Sequence, residues 1–333
     1  MTGILHPLIR ILADGQFHSG SELGQMLGVS RAAIWKNIKK VGELGIEVHS
    51  VRGKGYRIVH PVTLLDSNSI RAAMPAALNK ALHHLEILDT IDSTNTHAMR
   101  LLQNGTLLPL AGKYSAHLAE QQTSGKGRRG RQWVSPFGHN ICLTMVRQID
   151  TGTMGTEGIS LVVGLAIIRA LKQQGLAGLG VKWPNDVIVD GKKLAGILLE
   201  ITGDISGICQ LLIGVGINIK CPPETMEGVD QPWTDLFQLT DGKVDRNLLV
   251  SAVISHIMSA LDEFQSGGLT NFNAEWRDHD VMIDKQVELI TTGQSAFGIA
   301  RGISDTGALL LETEQGIQLV TGGEVSLRRR SVK

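Results

Sequence analysis

Apolar residues in the first sixty positions recur at helical spacing and then at strand spacing, with glycines between the runs. The pattern predicts, in order, helices over 4–13, 22–27 and 30–44 and strands over 48–51 and 56–59. Ser21 and Ser30 precede the second and third helices and are expected to cap them, and Gly28 marks the short turn between them. Two helices joined by such a turn and followed by a hairpin are typical of a winged helix-turn-helix.

Pro61 and the polar stretch to Ser69 are predicted to form a linker at a domain boundary, and from about Ile70 the pattern changes to longer helices and a series of strands. The predicted helices cover 69–74, 94–103, 157–174, 247–265 and 270–278, and the predicted strands cover 85–88, 115–120, 141–147, 180–183, 187–189, 194–201 and 208–219. Asp190-Gly191 is a two-residue hairpin signal between two of these strands. Because most strands follow one another through turns, they predict a central mixed α/β domain with a largely antiparallel sheet.

The last fifty residues contain short, evenly spaced strands. These are predicted over 286–291, 296–303, 308–312, 316–320 and 324–328. That spacing is typical of a small β-barrel. The chain is therefore expected to be an α+β multidomain protein, divided into residues 1–62, 63–280 and 281–333.

Composition narrows the class of protein. Of 333 residues, 42% are hydrophobic and 19% are charged, which suits folded domains and not a disordered chain. The three cysteines form no CxxC pair, so neither a disulfide framework nor a cysteine zinc site is expected. No apolar run reaches about 18 residues and no signal peptide is recognised, so the expected location is the cytoplasm, with no membrane partner.

The charge of the chain is unevenly distributed. Net charge is zero overall, yet residues 1–62 carry eight Lys and Arg against four Asp and Glu, a net charge of +4. A basic N-terminal segment favours nucleic acid binding, and the alternative is a solvated lysine face on a small helical domain. The residues expected to face DNA are Arg31, Ala32, Lys36, Lys39, Lys40, Arg52 and Lys54.

A basic, glycine-rich segment, Gly125–Arg131, is the first candidate ligand site. Four of its seven residues are Lys or Arg and three are Gly, so backbone N–H groups and guanidinium groups can surround an anion. The segment contains GxGxxG but runs into Gln132-Trp-Val-Ser-Pro136 instead of opening a helix, which argues against a dinucleotide-binding fingerprint. No GxxxxGK[ST] motif occurs, so a nucleotide would be held without a P-loop. The alternative is a flexible surface loop.

Further polar and glycine residues mark the predicted strands. In Lys182-Trp-Pro-Asn-Asp186 the last two residues either form a simple turn or meet a ligand or a magnesium ion. Lys193 opens the next apolar strand and is either a surface residue or a cation aimed into a pocket. Gly214 and Gly216 clear one face of a strand, either for a ligand lying on the sheet or at a bulge.

Two more segments fit a ligand as well as a structural role. Asp92-Ser-Thr-Asn95 is expected to cap a helix, and its neutral side chains can also hydrogen-bond an amide or urea. Trp233 stands in a polar loop over 220–234 and is either an anchor for that loop or a lid that stacks on a ligand.

With a winged helix before them and a small barrel after them, these segments resemble the family of bifunctional biotin protein ligases and biotin-operon repressors. The motifs GKGRRGRQW, KWPND, KLAGIL and GVGIN stand in that family's order, and the resemblance covers about residues 4–330. It implies a biotin/lipoate ligase-like central domain and a small SH3-like β-barrel at the C-terminus. It also implies ATP with Mg²⁺ as the nucleotide substrate and its metal, biotin as the second substrate, and no tightly bound prosthetic group.

The resemblance also implies roles for individual residues. In the family, biotin and ATP form biotinyl-5′-AMP, from which biotin passes to a lysine of a biotin carboxyl carrier protein. The implied biotin-binding residues are Ser93, Thr94, Asn95, Gln122, Lys126, Gly127, Arg128, Trp133, Lys193, Gly196, Gly214 and Gly216. The implied ATP- and adenylate-binding residues are Arg128, Arg131, Lys182, Asn185, Asp186, Lys193, Asn218 and Trp233. The implied catalytic residues are Lys193, Arg128 and Asp186, with Asp186 also the implied magnesium ligand.

The implied partners are the carrier protein, the operator DNA of biotin genes and a second copy of the chain. The homodimer would be promoted by biotinyl-5′-AMP, through the stretches 125–138 and about 150–157. One departure is Lys126, where the family most often has arginine; this matters if that position contacts phosphate through its side chain. The alternatives are a non-catalytic biotin-sensing repressor, a lipoate or octanoate ligase, and a DNA-modifying enzyme.

Overall fold

A computed structural model describes residues 3–59, 62–149, 156–203, 208–291, 295–322 and 326–329. The helices are α1 Leu5–Leu12, α2 Gly20–Leu27, α3 Arg31–Glu43, α4 Ser67–Ala72, α5 Ala76–Ala81, α6 Thr94–Gln103, α7 Thr156–Gln173, α8 Leu236–Leu239, α9 Arg246–Gly267 and α10 Asn273–His279. The strands are β1 Val48–Val51, β2 Gly55–Ile58, β3 Leu82–Ile91, β4 Tyr114–Gln122, β5 Asn140–Ile149, β6 Leu179–Lys182, β7 Asp186–Val189, β8 Lys192–Gly203, β9 Cys209–Asn218, β10 Gln286–Ile290, β11 Ser295–Ile303, β12 Leu309–Thr313, β13 Gly316–Val320 and β14 Ser326–Arg329. None of these helices combines the length and the apolar content that a bilayer span requires.

The N-terminal part consists of α1–α3 and the hairpin β1–β2, as predicted. The hydroxyl of Ser19 accepts a hydrogen bond from the N–H of Glu22, and the Glu22 carboxylate accepts one from the N–H of Ser19. This reciprocal box satisfies two N–H groups at the start of α2, so the prediction that Ser21 is the cap is wrong. Ser30 caps α3, and Gly28 ends α2 with φ 66°, a left-handed geometry that favours glycine.

A seven-stranded sheet in the order β3-β4-β5-β9-β8-β7-β6 forms the centre of the chain. The pair β3–β4 is parallel and the other neighbouring pairs are antiparallel. The parallel pair follows from α6, which carries the chain from the end of β3 back towards the start of β4. Helices α7 and α9 pack on one face, and α6 packs on the other beside β5 and β9. The predicted mixed, largely antiparallel sheet is confirmed.

Strands β10–β14 form a C-terminal antiparallel sheet in the order β13-β12-β11-β10-β14. All five short strands were predicted, but no hydrogen-bonded pair within the described residues joins β13 to β14. The described strands therefore form an open sheet, and the predicted closed barrel is not seen in them. The buried indole of Trp183 donates to the carbonyl of Gly307 at 3.0 Å, so this sheet is attached beside the end of β6.

The segment after the hairpin is buried between the N-terminal helices and the central sheet. Val62 and Leu64 join the apolar core of α1–α3, and Phe137 from the central domain joins the same cluster. Arg10 of α1 donates to the carbonyl of Leu65 at 3.0 Å. The two parts therefore share a core, although the sequence predicted a linker here.

A buried ion pair holds this segment in place. Glu120 on β4 is 0% exposed and Arg246 at the start of α9 is 2% exposed, and their Nη1 and Oε2 atoms lie 2.7 Å apart. Glu120 also accepts a hydrogen bond from the N–H of Leu65, and Arg246 donates to the carbonyls of Thr63 and Asn140. A buried pair persists only when further hydrogen bonds satisfy both charges, and the linker backbone supplies two of them.

Candidate active site

A cleft of about 470 Å³, here called the inner cleft, opens between β8, β9, the start of α6 and the basic loop 125–131. It is lined by all the residues that the resemblance assigned to biotin: Ser93, Thr94, Asn95, Gln122, Lys126, Gly127, Arg128, Trp133, Lys193, Gly196, Gly214 and Gly216. The apolar part of the lining, to which the sequence analysis assigned no role, is Leu143, Ile197, Leu198 and Val215. Segments far apart in sequence therefore form one slot with a polar end and apolar walls.

The polar end is built by the first residues of α6. Within the segment predicted to cap this helix, Ser93 is the N-cap. Both the N–H and the hydroxyl of Thr94 donate to Gln122 Oε1, at 2.8 and 3.0 Å. These contacts fix Gln122 with its carbonyl oxygen occupied, which leaves its amide N–H groups as the donors for a ligand.

Two residues that the sequence analysis missed, the buried Thr144 and the half-buried Glu200, orient Asn95. The Asn95 amide donates to Glu200 at 2.7 Å, and its carbonyl oxygen lies 2.5 Å from the Thr144 hydroxyl. Asn95 is 3% exposed and Thr144 is 0% exposed. No local signal marks Thr144 or Glu200, because each lies within a strand and reaches Asn95 only through the fold of the sheet.

The glycines of β8 and β9 make room for neighbouring side chains. A Cβ at Gly216 would lie 2.4 Å from Trp133, and one at Gly214 would lie 2.5 Å from Asn95. A Cβ at Gly196 would meet Lys193 at 3.0 Å. The glycine pair of β9 therefore serves close packing on a regular strand, since β9 pairs with β5 without a register shift.

The basic loop 125–131 is an ordered turn. The N–H of Gly127 donates to the carbonyl of Arg131 at 2.7 Å, and the N–H of Trp133 donates to the carbonyl of Gly125 at 2.9 Å. Arg129 has φ 60°, a left-handed conformation that is uncommon outside glycine. Because the chain turns back here and opens no long helix, the exclusion of a dinucleotide-binding fingerprint is confirmed.

A second cleft of about 1280 Å³, here called the outer cleft, lies between the basic loop, the end of β6 and the loop 227–231. Among its lining are six residues that the resemblance assigned to the nucleotide: Arg128, Arg131, Lys182, Asn185, Asp186 and Lys193. Lys193 Nζ lies 2.7 Å from Asp186 Oδ1, with both side chains less than one fifth exposed. Arg128 donates to Asn185 Oδ1 at 3.3 Å, so one hydrogen bond joins the basic loop to the β6–β7 turn.

The electrostatics of the outer cleft favour an anion. Burial lowers the pKa of Lys182, Asp186 raises it, and the nearby charges of Lys193, Arg328 and Arg131 lower it further. Cationic side chains held close together disfavour one another's charged forms. A polyanionic ligand offsets this repulsion and so stabilises the charged forms. The position of Arg328 beside Lys182 also places the C-terminal sheet at the border of this cleft.

Asn218 and Trp233 are not among the residues that line either cleft. Asn218 is buried and donates to the carbonyl of Thr234 at 3.0 Å. The N–H of Lys193 donates to the carbonyl of Pro232 at 2.9 Å, and the N–H of Thr234 donates to the carbonyl of Lys193 at 3.0 Å. In this structure both residues therefore belong to the support of Lys193, and their contacts with the adenylate stay a prediction.

Three carboxylates line the outer cleft, namely Asp186, Glu227 and Asp230. Asp186 is the carboxylate that the resemblance assigned to Mg²⁺, and it is already paired with Lys193. Mg²⁺ in nucleotide sites is held through one or two carboxylates and the substrate's phosphates. The residues fit a magnesium ion that arrives with a nucleotide, and Asp186 would hold it from the protein side.

The face predicted to contact DNA is exposed at every predicted position, namely Arg31, Ala32, Lys36, Lys39, Lys40, Arg52 and Lys54. Trp35 is 53% exposed beside them, and Lys39 Nζ lies 3.9 Å from the centre of its ring. The predicted basic residues therefore lie on the exposed side of α3 and at the tip of the β1–β2 hairpin.

Three family models match the chain: "HTH domain" over residues 5–57, "Biotin/lipoate A/B protein ligase family" over 87–218 and "Biotin protein ligase C terminal domain" over 282–328. The chain is 40% identical to the bifunctional ligase/repressor BirA of Salmonella typhimurium and 39% identical to that of Escherichia coli, with 96% of each chain covered. A solved structure of biotin protein ligase from Aquifex aeolicus in complex with biotin and ATP matches with a TM-score of 0.63 and 28% identity, over 75% of this chain and all of that one. This chain thus belongs to the biotin protein ligase family, among its bifunctional ligase/repressor members.

Proposed function

We propose that this chain is an ATP-dependent biotin protein ligase that also represses transcription through its N-terminal domain. One observation carries the enzymatic part: Arg128, Trp133, Asn185 and Lys193 border both clefts. The inner cleft offers neutral hydrogen-bonding groups, the outer cleft offers cations, and the two clefts share Arg128 and Lys193. This arrangement suits a reaction that joins the carboxylate of one ligand to a phosphate of another. The polar end at Ser93–Asn95 supplies donors and acceptors for the urea of biotin.

In the first step a carboxylate oxygen of biotin attacks the α-phosphorus of ATP, and the bond to the β-phosphate breaks to release pyrophosphate. Lys193 and Arg128 stand where negative charge gathers on the carboxylate and the α-phosphate. Cations fixed in a site that excludes water stabilise such charge without reorganising. Arg131 and Lys182 extend the positive charge along the outer cleft for the remaining phosphates, and Mg²⁺ enters as part of the nucleotide substrate.

In the second step a lysine amine of the biotin carboxyl carrier protein attacks the acyl carbon of biotinyl-5′-AMP. A C–N bond forms, AMP leaves, and the nitrogen gives up a proton. Asp186 is the proposed proton acceptor, because its carboxylate lies 2.7 Å from the lysine that binds the acyl phosphate. The Arg128–Asn185 contact holds the basic loop over the adenylate and protects it from water.

Exchange of labelled pyrophosphate into ATP tests this activity. The expected result is exchange that requires biotin and that octanoate does not support. Exchange with octanoate would indicate a lipoate-type ligase instead. No exchange from folded protein that binds biotin would leave a non-catalytic biotin-sensing repressor.

Gly216→Ala is expected to weaken biotin binding roughly ten- to a hundredfold, since forcing a methyl group into a packed site costs about 1–3 kcal/mol. The added Cβ would lie 2.4 Å from Trp133, so the indole must leave the wall of the inner cleft. Calorimetric titration with biotin measures the effect. Gly42→Ala is the control, because a Cβ there meets nothing within 4 Å. Equal biotin affinity of the two variants would contradict the role of Trp133 as a wall.

The N-terminal domain is proposed to bind the operator DNA of biotin genes, with α3 in the major groove and the β1–β2 hairpin at the backbone. The exposed basic side chains on both elements support this arrangement. The carrier protein is the other macromolecular partner, and it must approach the outer cleft to reach the adenylate.

Replacing both Arg52 and Lys54 with Ala is expected to weaken DNA binding and to reduce the salt dependence of log K by about 1 per residue. Both residues are exposed at the hairpin tip. Fluorescence anisotropy with a labelled duplex over a range of salt concentrations measures the slope. Lys243→Ala, an exposed lysine between α8 and α9, is the control. An unchanged slope in the double variant would remove the hairpin from the DNA interface.

We further propose a homodimer that biotinyl-5′-AMP promotes, because two recognition helices at a fixed spacing read a symmetric operator. The stretch 125–138 contains the ordered basic loop, whereas 150–155 and the side chains of 156–157 lie outside the described residues. Sedimentation should show tighter dimers with the adenylate than without it. Equal dimer affinity in both states would contradict the proposal.

The proposed domain boundaries lie near residues 62 and 280, and the last domain is proposed to close as an SH3-like barrel. The apolar cluster of α1–α3 is distinct from the main core of the central sheet, although Phe137 joins it, and this distinction supports the first boundary. A register shift between Ala300 and Ile303 in β11 supports the barrel, because such irregularities bend a strand and increase its twist.

A further inference from the structure

Three histidines and one glutamate converge on the α6 face of the central sheet, outside both clefts. His84 and Glu86 lie on β3, His117 lies on β4, and His97 lies on α6. We call these four residues the histidine–glutamate cluster. Nothing in the proposed ligase chemistry uses it.

The fold places the four side chains together by simple register. Glu86 and His117 are Cα partners in the parallel pair β3–β4, and His84 precedes Glu86 by two residues and so shares its face. His97 reaches the same point from the helix above. Residues that are distant in sequence thus meet because the parallel crossover brings α6 over β3 and β4.

The distances converge on one atom. Glu86 Oε2 lies 3.0 Å from His97 Nε2, 3.1 Å from His117 Nδ1 and 3.8 Å from His84 Nε2. One carboxylate oxygen has about two lone-pair sites. Three imidazole rings face this one, so it cannot accept a hydrogen bond from each of them. The ligand atoms of His84, Glu86 and His117 all lie within 4.8 Å of one another. A cation among them would be contacted by all three at once.

Burial fixes the orientation of one of these ligands. The His117 side chain is 0% exposed, and its Nδ1 is the ring nitrogen that faces Glu86 and would contact the ion. The side chains of His84 and Glu86 are 43% and 31% exposed, which leaves an entry path from solvent.

We propose that the histidine–glutamate cluster binds a divalent transition-metal ion of the zinc class, with His84, Glu86 and His117 as ligands. Imidazole nitrogen and carboxylate oxygen are the ligands that Zn²⁺ takes in three-ligand sites with one open position. His97 holds Glu86 by a hydrogen bond, as outer partners of metal ligands do.

The bound ion has a structural consequence. It ties β3 to β4 and, through the Glu86–His97 contact, to α6. The first residues of that helix, Thr94 and Asn95, line the inner cleft. The metal site is therefore expected to stiffen the polar end of the biotin slot.

Zn²⁺ binding to the full, metal-stripped chain tests the site, measured by competition with a chromophoric chelator. One ion per chain is expected for the wild type, and His84→Ala and Glu86→Gln are each expected to lower the affinity at least tenfold, since even outer-shell changes cost 10- to 100-fold. Circular dichroism checks that the variants fold. His84 and Glu86 are chosen because they are partly exposed, whereas truncating the buried His117 could disturb the sheet.

His49→Ala is the matched control. His49 also pairs with a glutamate, Glu47, at 3.6 Å, and its side chain is 47% exposed, close to the value for His84. It lacks a third ligand, so its loss should leave Zn²⁺ affinity unchanged. Replacing Zn²⁺ with Co²⁺ should give visible absorption in the wild type that both ligand variants lose. Wild-type chain that binds no Zn²⁺, or ligand variants that bind it as tightly as the wild type, would overturn the site.

Discussion

Lys193→Ala is expected to lower the rate of biotin-dependent pyrophosphate exchange by about 10²–10³, the usual effect of removing one fixed group that stabilises developing charge. Lys193 borders both clefts, and its ammonium is 2.7 Å from Asp186 and 5.6 Å from the centre of the Trp133 ring. Its main-chain N–H and C=O are both bonded to the loop 232–234. The cation is therefore held from two sides at the point where carboxylate and phosphate meet.

Lys192→Ala is the matched control for this measurement. Lys192 precedes Lys193 on β8 but is exposed and lines neither cleft. It should keep wild-type exchange, while the Lys193 variant still binds biotin in a calorimetric titration. A loss of less than tenfold on removing Lys193 would place the charge-stabilising role on Arg128 instead.

Arg246→Ala is expected to destabilise the protein by about 3–5 kcal/mol, because it leaves the fully buried Glu120 carboxylate without its partner. The same guanidinium holds the carbonyls of Thr63 and Asn140. The loss should therefore appear both in the free energy of unfolding and in the docking of the N-terminal domain. Denaturant unfolding measures the first, and protease sensitivity near residue 62 measures the second.

Arg100→Ala provides the contrast. Arg100 also pairs with a carboxylate, Asp92 at 2.9 Å, but its side chain is half exposed. An exposed pair contributes about 0–1 kcal/mol, so this variant should unfold almost as the wild type does. Similar losses for the two arginines would show that the buried position of the Glu120–Arg246 pair is unimportant.

Most of the secondary structure was predictable because its signals are local. The cap at Ser93, the turn at Gly28 and the hairpin at Asp190-Gly191 all involve neighbours within a few residues. The misplaced cap at Ser21 shows the limit of such signals: two serines stand two positions apart, and only the reciprocal bond with Glu22 selects Ser19.

The family resemblance assigned the polar and glycine residues of the inner cleft to one site, and in the structure these residues line one cleft. The roles of Thr144, Glu200 and Asn218 were not predictable in the same way. Each reaches its partner across the sheet or through a loop backbone. A side chain whose role is to orient another residue through the fold leaves no characteristic spacing in the sequence.

The sequence by itself determined the order of domains, the basic face of α3 and the cationic, glycine-rich character of the loop 125–131. These properties depend on residue type and near neighbours, so they survive without knowledge of the fold. Only the tertiary structure decided that Trp133 and Asn185 border both clefts, that Glu120 and Arg246 hold the linker in place, and that His84, Glu86 and His117 meet. The physical reason is strand register. The pairing of whole strands decides which side chains face each other, and each single residue contributes little to that pairing.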